Sequence, residues 1–200
     1  GNINALISFL DENSSREDIL MILEKIKNVS LNLNQTMNEI MDTLQIKKDS
    51  RIERQELRFK DILDRVIQSL EGNLMQCGAS VTYDFKIPVV HFPKSYLESI
   101  FQNLLSNAIK YRANDRPLEV NFSSTHGKNG APVLTVRDNG SGIDMKRFGD
   151  KLFGLHKTFH DNKEARGVGL FLTKTQIETM GGSIRAESEP DNGTTFVIEF

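Results

Sequence analysis

The sequence predicts an α+β chain: a helical hairpin over residues 1–50, then a two-layer α/β sandwich with a mixed sheet over residues 51–200. Three observations predict it. Apolar residues recur at steps of three, four or seven through residues 19–44, the mark of a long amphipathic helix. After Lys47-Lys48-Asp49-Ser50 the period changes, and short helical segments alternate with strand-like ones. The last two strand-like segments are joined by a four-residue turn, Pro190–Gly193, so a hairpin closes the chain and the sheet is mixed.

The elements follow in order. Ile3, Leu6, Ile7 and Leu10 set a first short helix. Asp11-Glu-Asn-Ser-Ser15 interrupts it with turn and capping residues, and Ser15 with Asp18 resembles a new helix start. Ile19, Ile22, Ile26, Val29, Leu33, Ile40 and Leu44 then form a coiled-coil-like seam. A helix of about 30 residues is roughly 45 Å long. The ten residues before it cannot cover such a seam, so the expectation is a bundle completed by a second copy of the chain. A helix lying on its own domain is the alternative.

Glu56-Leu-Arg-Phe59 reads as a short strand, and Ile62, Leu63, Val66, Ile67 and Leu70 as a helix. Val81-Thr-Tyr-Asp-Phe85 alternates like a strand. A helix follows over 94–111, with Pro93 near its start. Residues 118–124 and 132–137 read as strands joined by a polar turn around Gly127–Gly130. The stretch 143–166 is glycine-containing, charged and poorly periodic. A helix over about 168–180 stops at Gly181-Gly182. Strands 183–188 and 194–200 close the chain.

Composition excludes several classes. With 38% apolar and 26% charged residues among 200, the chain is globular rather than disordered. A net charge of −2 gives no basic field for nucleic acid. Cys77 is the single cysteine, which rules out an internal disulfide framework and a multi-cysteine zinc site. No apolar run approaches the roughly 20 residues that span a bilayer, and no signal peptide is visible. A cytoplasmic location is expected, with any membrane anchor in segments of a longer parent.

Three segments carry chemistry. On the helix 94–111, Leu97, Ile100, Phe101, Leu104, Leu105, Ala108 and Ile109 form the apolar face. Asn103, Asn107, Lys110 and Tyr111 fall on a neighbouring stripe. An amide oxygen is a neutral, hard ligand suited to Mg²⁺, which arrives with substrate phosphates. A lysine one turn away can neutralise a phosphate oxygen. Second, Asp138-Asn-Gly140-Ser-Gly142 follows a strand. An aspartate there can accept a hydrogen bond from an exocyclic amine, and the glycines let backbone approach a flat ring. Third, Arg166-Gly167-Val168-Gly169-Leu170 opens a helix, whose free amides can bind phosphate. Taken singly, these also fit a solvated helix face, an ordinary Asn-Gly turn and a flexible loop end. The third is neither a P-loop nor a dinucleotide fingerprint.

Together, and with Asp191-Asn-Gly193-Thr194-Thr195-Phe196, these segments resemble the catalytic domain of sensor histidine kinases, of the GHKL or Bergerat-fold ATP-binding superfamily. The resemblance covers residues from about 55 to 200, and residues 1–50 resemble the family's dimerisation and phosphotransfer hairpin. It implies ATP and Mg²⁺ as ligands, with Asn107 on the metal and Lys110 and Tyr111 near the phosphates. Asp138 matches the adenine-reading aspartate, with Gly140, Gly142 and Ile143 in its glycine box. Lys151-Leu-Phe153 and Phe159 resemble the phenylalanine box of a lid over ATP. Gly167, Val168, Gly169 and Leu170 match the second glycine box, and Thr195 a position beside the adenine pocket. The sequence departs from the pattern at Ala165, where a further glycine is frequent, and at Ser141, where proline is common. Arg166 is placed either to reach the terminal phosphate or as a solvated lid residue.

Asn103 separates relatives. In gyrase-like and chaperone ATPases the resemblance puts a water-activating glutamate here, and a neutral amide cannot act as a general base at pH 7. The expectation is a site that holds ATP with little hydrolysis. In the resembled family the acceptor is a histidine on the first hairpin helix. Here the histidines are His91, His126, His156 and His160, none in the hairpin. The chain is thus read as a fragment beginning just downstream of the acceptor motif, binding Mg-ATP without phosphorylating itself. Its parent would pass the phosphoryl group to an aspartate on a response-regulator receiver domain and would act as a homodimer. The competing readings are a nucleotide-sensing regulatory module with no transferase role, and an ATPase of the wider superfamily.

Overall fold

The computed structural model describes residues 15, 19–27, 53–127, 130–154 and 168–200. The chain divides into two compact units, Gly1–Lys48 and Asp49–Phe200.

In the first unit, residues 19–27 are helical, and the Ile19 amide donates to the Ser15 carbonyl at 3.0 Å. Ile22 is buried and Ile26 half-buried, one turn apart, while Leu20, Met21 and Leu23 are exposed. The expected first helix, the turn at 11–14 and the seam from Val29 to Leu44 lie outside the described residues.

The second unit opens with strand β1 (Gln55–Arg58), helix α1 (Phe59–Ser69) and a short helix α2 (Glu71–Gln76). Strands β2 (Ser80–Phe85) and β3 (Val89–Phe92) precede helix α3 (Lys94–Lys110). Then come β4 (Glu119–His126), β5 (Pro132–Asp138), the single turn α4 (Met145–Phe148) and a 3-10 turn, Gly149–Lys151. Helix α5 (Gly169–Thr179) and strands β6 (Ser183–Ser188) and β7 (Thr194–Glu199) complete it.

Five strands form one sheet in the order β2-β4-β5-β7-β6. The β2–β4 pair is parallel and the others antiparallel, which is the expected mixed sheet. Helices cover one face. Val120 and Phe122 on β4, Leu134 and Val136 on β5, and Phe196 and Ile198 on β7 alternate inward and are buried. Against them α3 turns Leu97, Ile100, Phe101, Leu104, Leu105 and Ala108, all buried at steps of three and one. The Phe101 ring lies 5.1 Å from Phe122 and 6.2 Å from Phe59, so it joins α1, α3 and the sheet. Each fully buried ring of this kind contributes roughly 1.5–3 kcal/mol of transfer free energy.

Three local differences from the sequence reading have physical causes. The first strand ends at Arg58, because Phe59 already belongs to the helical period Phe59, Ile62, Leu63, Val66 and is fully buried. Strand β3 was not expected: it is four residues long between Pro88 and Pro93, and it is defined by antiparallel pairing with β1. The stretch after 143 holds α4, capped by the Asp144 carboxylate, which accepts from the Arg147 amide at 3.1 Å. Helix α5 ends where glycines were expected to end it. Gly181 has φ +86°, and the amides of Gly181 and Gly182 donate to the carbonyls of Glu178 and Ile177, a Schellman closure.

Candidate functional site

Helix α3 presents two stripes at once. Beside its buried face, Asn103, Asn107, Lys110 and the following Tyr111 are all half-buried. Asn103 is held across the gap to α5: its Nδ2 donates to Thr173 Oγ1 at 2.7 Å. Asn107 Nδ2 points at Asn103 Oδ1, at 3.4 Å. Gly169, the first residue of α5, packs so closely that a Cβ there would overlap Asn103 Oδ1. A second polar tie, Gln176 Nε2 to Ser99 Oγ at 3.2 Å, lies one turn further along the same contact.

The end of α3 meets the loop after β5. The Tyr111 carbonyl accepts from the Ser141 amide at 2.9 Å and from the Ser141 hydroxyl at 3.0 Å. A proline at 141 could make neither bond, so serine there is a structural tie. Gly140 lies beneath the same carbonyl, and a Cβ on it would come within 2.7 Å of the Tyr111 oxygen. Gly142 has φ +67°, and a Cβ there would overlap the Glu189 carbonyl oxygen, so both backbone angle and space demand glycine. The Lys110 ammonium lies 5.8 Å from the centre of the Tyr111 ring. Burial pushes the Tyr111 phenol above its ordinary pKa, so it is protonated at neutral pH.

Asp138 ends β5 and is half-buried. Its Oδ1 accepts from the Gly140 amide at 2.8 Å and the Thr194 amide at 3.2 Å. Desolvation raises the pKa of this carboxyl, and the two amides oppose that shift. The carboxylate is therefore fixed by one oxygen, with acceptor capacity left on the other.

The other expected residues are distributed as follows. Ile143 is half-buried, and its amide donates to Ser188 Oγ at 2.8 Å. Phe153 is half-buried, 5.8 Å from the Lys174 ammonium on α5. Val168 is buried and Leu170 half-buried at the start of α5. Arg166, Gly167, Phe159, His156 and His160 lie outside the described residues. Thr195 pairs with Arg137 and Glu187, on the face of β7 opposite to buried Thr194 and Phe196. With Arg137 and Glu187 it lines a shallow cavity of about 510 Å³. The threonine that meets Asp138 is its neighbour Thr194, through its amide. That contact follows from the β5–β7 register, in which Arg137 pairs with Thr195.

The donor set suits a magnesium ion delivered with phosphates. Among the described residues no group of three or more His, Cys, Asp or Glu side chains could hold a metal. Asn107 offers one neutral amide oxygen, which would hold such an ion together with the phosphates that bring it. Asn103, tied to Thr173, holds no ionisable group that could draw a proton from water.

Residues 94–200 match the family model described as histidine kinase-, DNA gyrase B-, and HSP90-like ATPase. The chain is similar to sensor histidine kinase YcbM of Bacillus subtilis, with 30% identity covering 99% of this chain and 64% of that protein. In structure it is similar to the Acinetobacter baumannii histidine kinase AdeS, with TM-score 0.75 and 18% identity, covering 99% of this chain and 92% of the other. It is also similar to full-length ShkA in complex with AMPPNP, with TM-score 0.74 and 16% identity, covering 97% and 40%. Of the first three curated relatives that it matches, the chain spans 17%, 23% and 20% of the length.

Proposed function

Because this chain belongs to the histidine kinase-, DNA gyrase B- and HSP90-like ATPase family, matched over more than half of its residues, we propose that it is the Mg-ATP-binding catalytic core of a sensor histidine kinase. The observation that carries the reading is the junction at the end of α3. There the Tyr111 carbonyl holds Ser141, and the Gly140 amide in turn fixes Asp138. Two segments distant in sequence thus meet, the loop carrying an amine acceptor and α3 carrying an amide oxygen and a cation.

In this reading Asp138 accepts from the exocyclic amine of adenine, and Gly140 and Gly142 let the backbone lie against the ring. Lys110 neutralises phosphate charge, and the protonated Tyr111 phenol can donate to a phosphate oxygen. The N-terminus of α5, with Gly167, Val168 and Gly169, offers amides to the phosphates, with Leu170 behind them. Phe153 belongs to the lid that excludes water. Asn107 would hold Mg²⁺, which when bound screens the phosphate charge and orients the terminal phosphoryl group. Asn103 preserves ATP against hydrolysis because it cannot serve as a base.

The reaction assigned to the whole protein is transfer of the ATP γ-phosphoryl to a histidine, then to an aspartate of a response-regulator receiver domain. Residues 1–50 contain no histidine, so the acceptor is assigned to polypeptide beyond these 200 residues. Residues 1–50 are assigned to the dimerisation hairpin and 51–200 to the catalytic domain. None of the described helices is long and apolar enough to cross a membrane. We assign the catalytic portion to the cytoplasm, with any membrane attachment in other segments.

Titration with Mg-ATP followed by exposure to γ-labelled ATP tests the reading. Saturable binding, slow phosphate release and no acid-labile phosphate on the chain are expected. Failure to bind adenine nucleotide with or without metal overturns the nucleotide site, and rapid phosphate release identifies an ATPase instead.

A further inference from the structure

One cation outside the asparagine stripe is built into this junction. Arg116 lies in the segment between α3 and β4, and its side chain reaches two loops at once. Nε donates to the Asn139 carbonyl at 2.8 Å, and Nη2 donates to the Gly140 carbonyl at 2.9 Å and the Asp191 carbonyl at 2.6 Å. Nη1 faces the Asp115 carboxylate at 3.2 and 3.4 Å. A guanidinium is a planar fork of five donors with no acceptor, so it can satisfy several carbonyls in fixed directions.

Two consequences follow. The Asn139 carbonyl and the Gly140 amide belong to one trans peptide, so they point in opposite directions. Arg116 pulls on the carbonyl end at 2.8 Å, and the amide end donates to Asp138 Oδ1, also at 2.8 Å. The guanidinium thereby sets the orientation of the peptide that fixes the Asp138 carboxylate. The Asn139 side chain braces the same peptide, accepting from the Glu119 amide at 2.9 Å and donating to the Pro117 carbonyl at 3.0 Å. On the other loop, Asp191 has φ +63°, the one non-glycine residue with positive φ among those described. That conformation is unfavourable for a residue with a Cβ, and it is held by Arg116 at the carbonyl and by the Ser141 carbonyl, which accepts from the Asp191 amide at 2.8 Å. The turn so fixed leads to Thr194, whose amide is the second donor to Asp138.

We propose that Arg116 is a positioning residue that sets the choice of adenine over guanine, by aiming the Asp138 carboxylate through the 139–140 peptide and the 189–193 turn. The proposal rests on the nucleotide reading given above. An ionised carboxylate accepts from the exocyclic amine of adenine and repels the carbonyl oxygen that guanine presents at the same edge. That discrimination depends on where the second carboxylate oxygen points. Weakening the fork costs base selectivity before it costs phosphate binding, because Asn107 and Lys110 are carried by α3, outside the two loops that Arg116 holds.

The test is to titrate the 200-residue chain, and its Arg116→Met and Arg116→Lys variants, with Mg-ATP and Mg-GTP. Amide hydrogen exchange at Gly140 and Thr194 is followed in parallel. In Arg116→Met the ratio of ATP to GTP affinity is expected to fall at least tenfold, with GTP affinity changed less than threefold. The amides at 140 and 194 should exchange faster while those of α3 keep their protection. Arg116→Lys keeps the charge but cannot serve three carbonyls in a plane, so its ratio should lie nearer that of Arg116→Met than wild type. An unchanged ratio in both variants, or equal losses for both nucleotides, overturns the proposal alone. A wild-type chain that binds neither nucleotide overturns the nucleotide reading, and this proposal with it.

Discussion

At Asp138, stability and function pull in opposite directions. Burial raises the pKa of its carboxyl, so between the ordinary carboxylate value and the raised one the folded state holds a proton that the unfolded state has released. Stability must therefore fall as pH rises through that window, and the ionised carboxylate is a net burden on the fold. Asp138→Asn keeps an oxygen for the Gly140 and Thr194 amides but carries no charge. Urea unfolding from acid to neutral pH should show the falling arm in wild type and its loss in Asp138→Asn, with equal or greater stability at pH 7. Nucleotide titration of the same variant should show an affinity lower by about tenfold to a hundredfold, the worth of one charge-assisted hydrogen bond. ATP affinity of the wild type should rise over the pH range in which its stability declines, since the ionised carboxylate is the stronger acceptor for the amine.

Among the elements, α3 carries most of the argument because its two stripes answer to different constraints. Its apolar stripe is fixed by volume. Phe101→Ala would remove the ring that touches both Phe59 and Phe122, and should cost about 3–5 kcal/mol in denaturant unfolding. Its polar stripe is fixed by the approach of α5. Gly169→Ala gains helix propensity of up to about 1 kcal/mol, yet its Cβ would displace Asn103 from Thr173. A net loss of about 1–3 kcal/mol in the unfolding free energy, with weakened Mg-ATP binding, is expected, and a neutral or stabilised variant would show that the two helices can part without cost. The 3.6-residue period revealed α1 and α3, whose apolar residues share one buried face, and the Gly181-Gly182 pair marked the end of α5. The same period said nothing of β3, whose four residues form a strand through their partner β1.

Across the whole molecule, ligand and fold should be coupled. A site assembled from α3, the loop after β5 and the 189–193 turn exists only in the folded chain, so Mg-ATP at 100 times its dissociation constant should stabilise it by about 2.7 kcal/mol. A thermal midpoint that rises with Mg-ATP concentration in wild type, and does so only weakly in Asp138→Asn, checks this.

The sequence by itself determined the fold class, the mixed sheet and the end of α5 at Gly181-Gly182, since periodicity and glycine chemistry are local properties of the chain. It also marked Asn103, Asn107, Asp138 and Gly142, because their residue types and spacing carry chemistry. Tertiary structure decided which neighbours those groups meet. It brought the Thr194 amide to Asp138 and paired Thr195 with Arg137 and Glu187, since strand register is set only when distant strands meet. It gave Ser141 two bonds to Tyr111, and it brought Arg116 to three carbonyls on loops up to 75 residues away in sequence. A lone arginine in a polar loop has no periodicity to betray it. Its role depends on directions of backbone carbonyls that are set only when distant segments pack together.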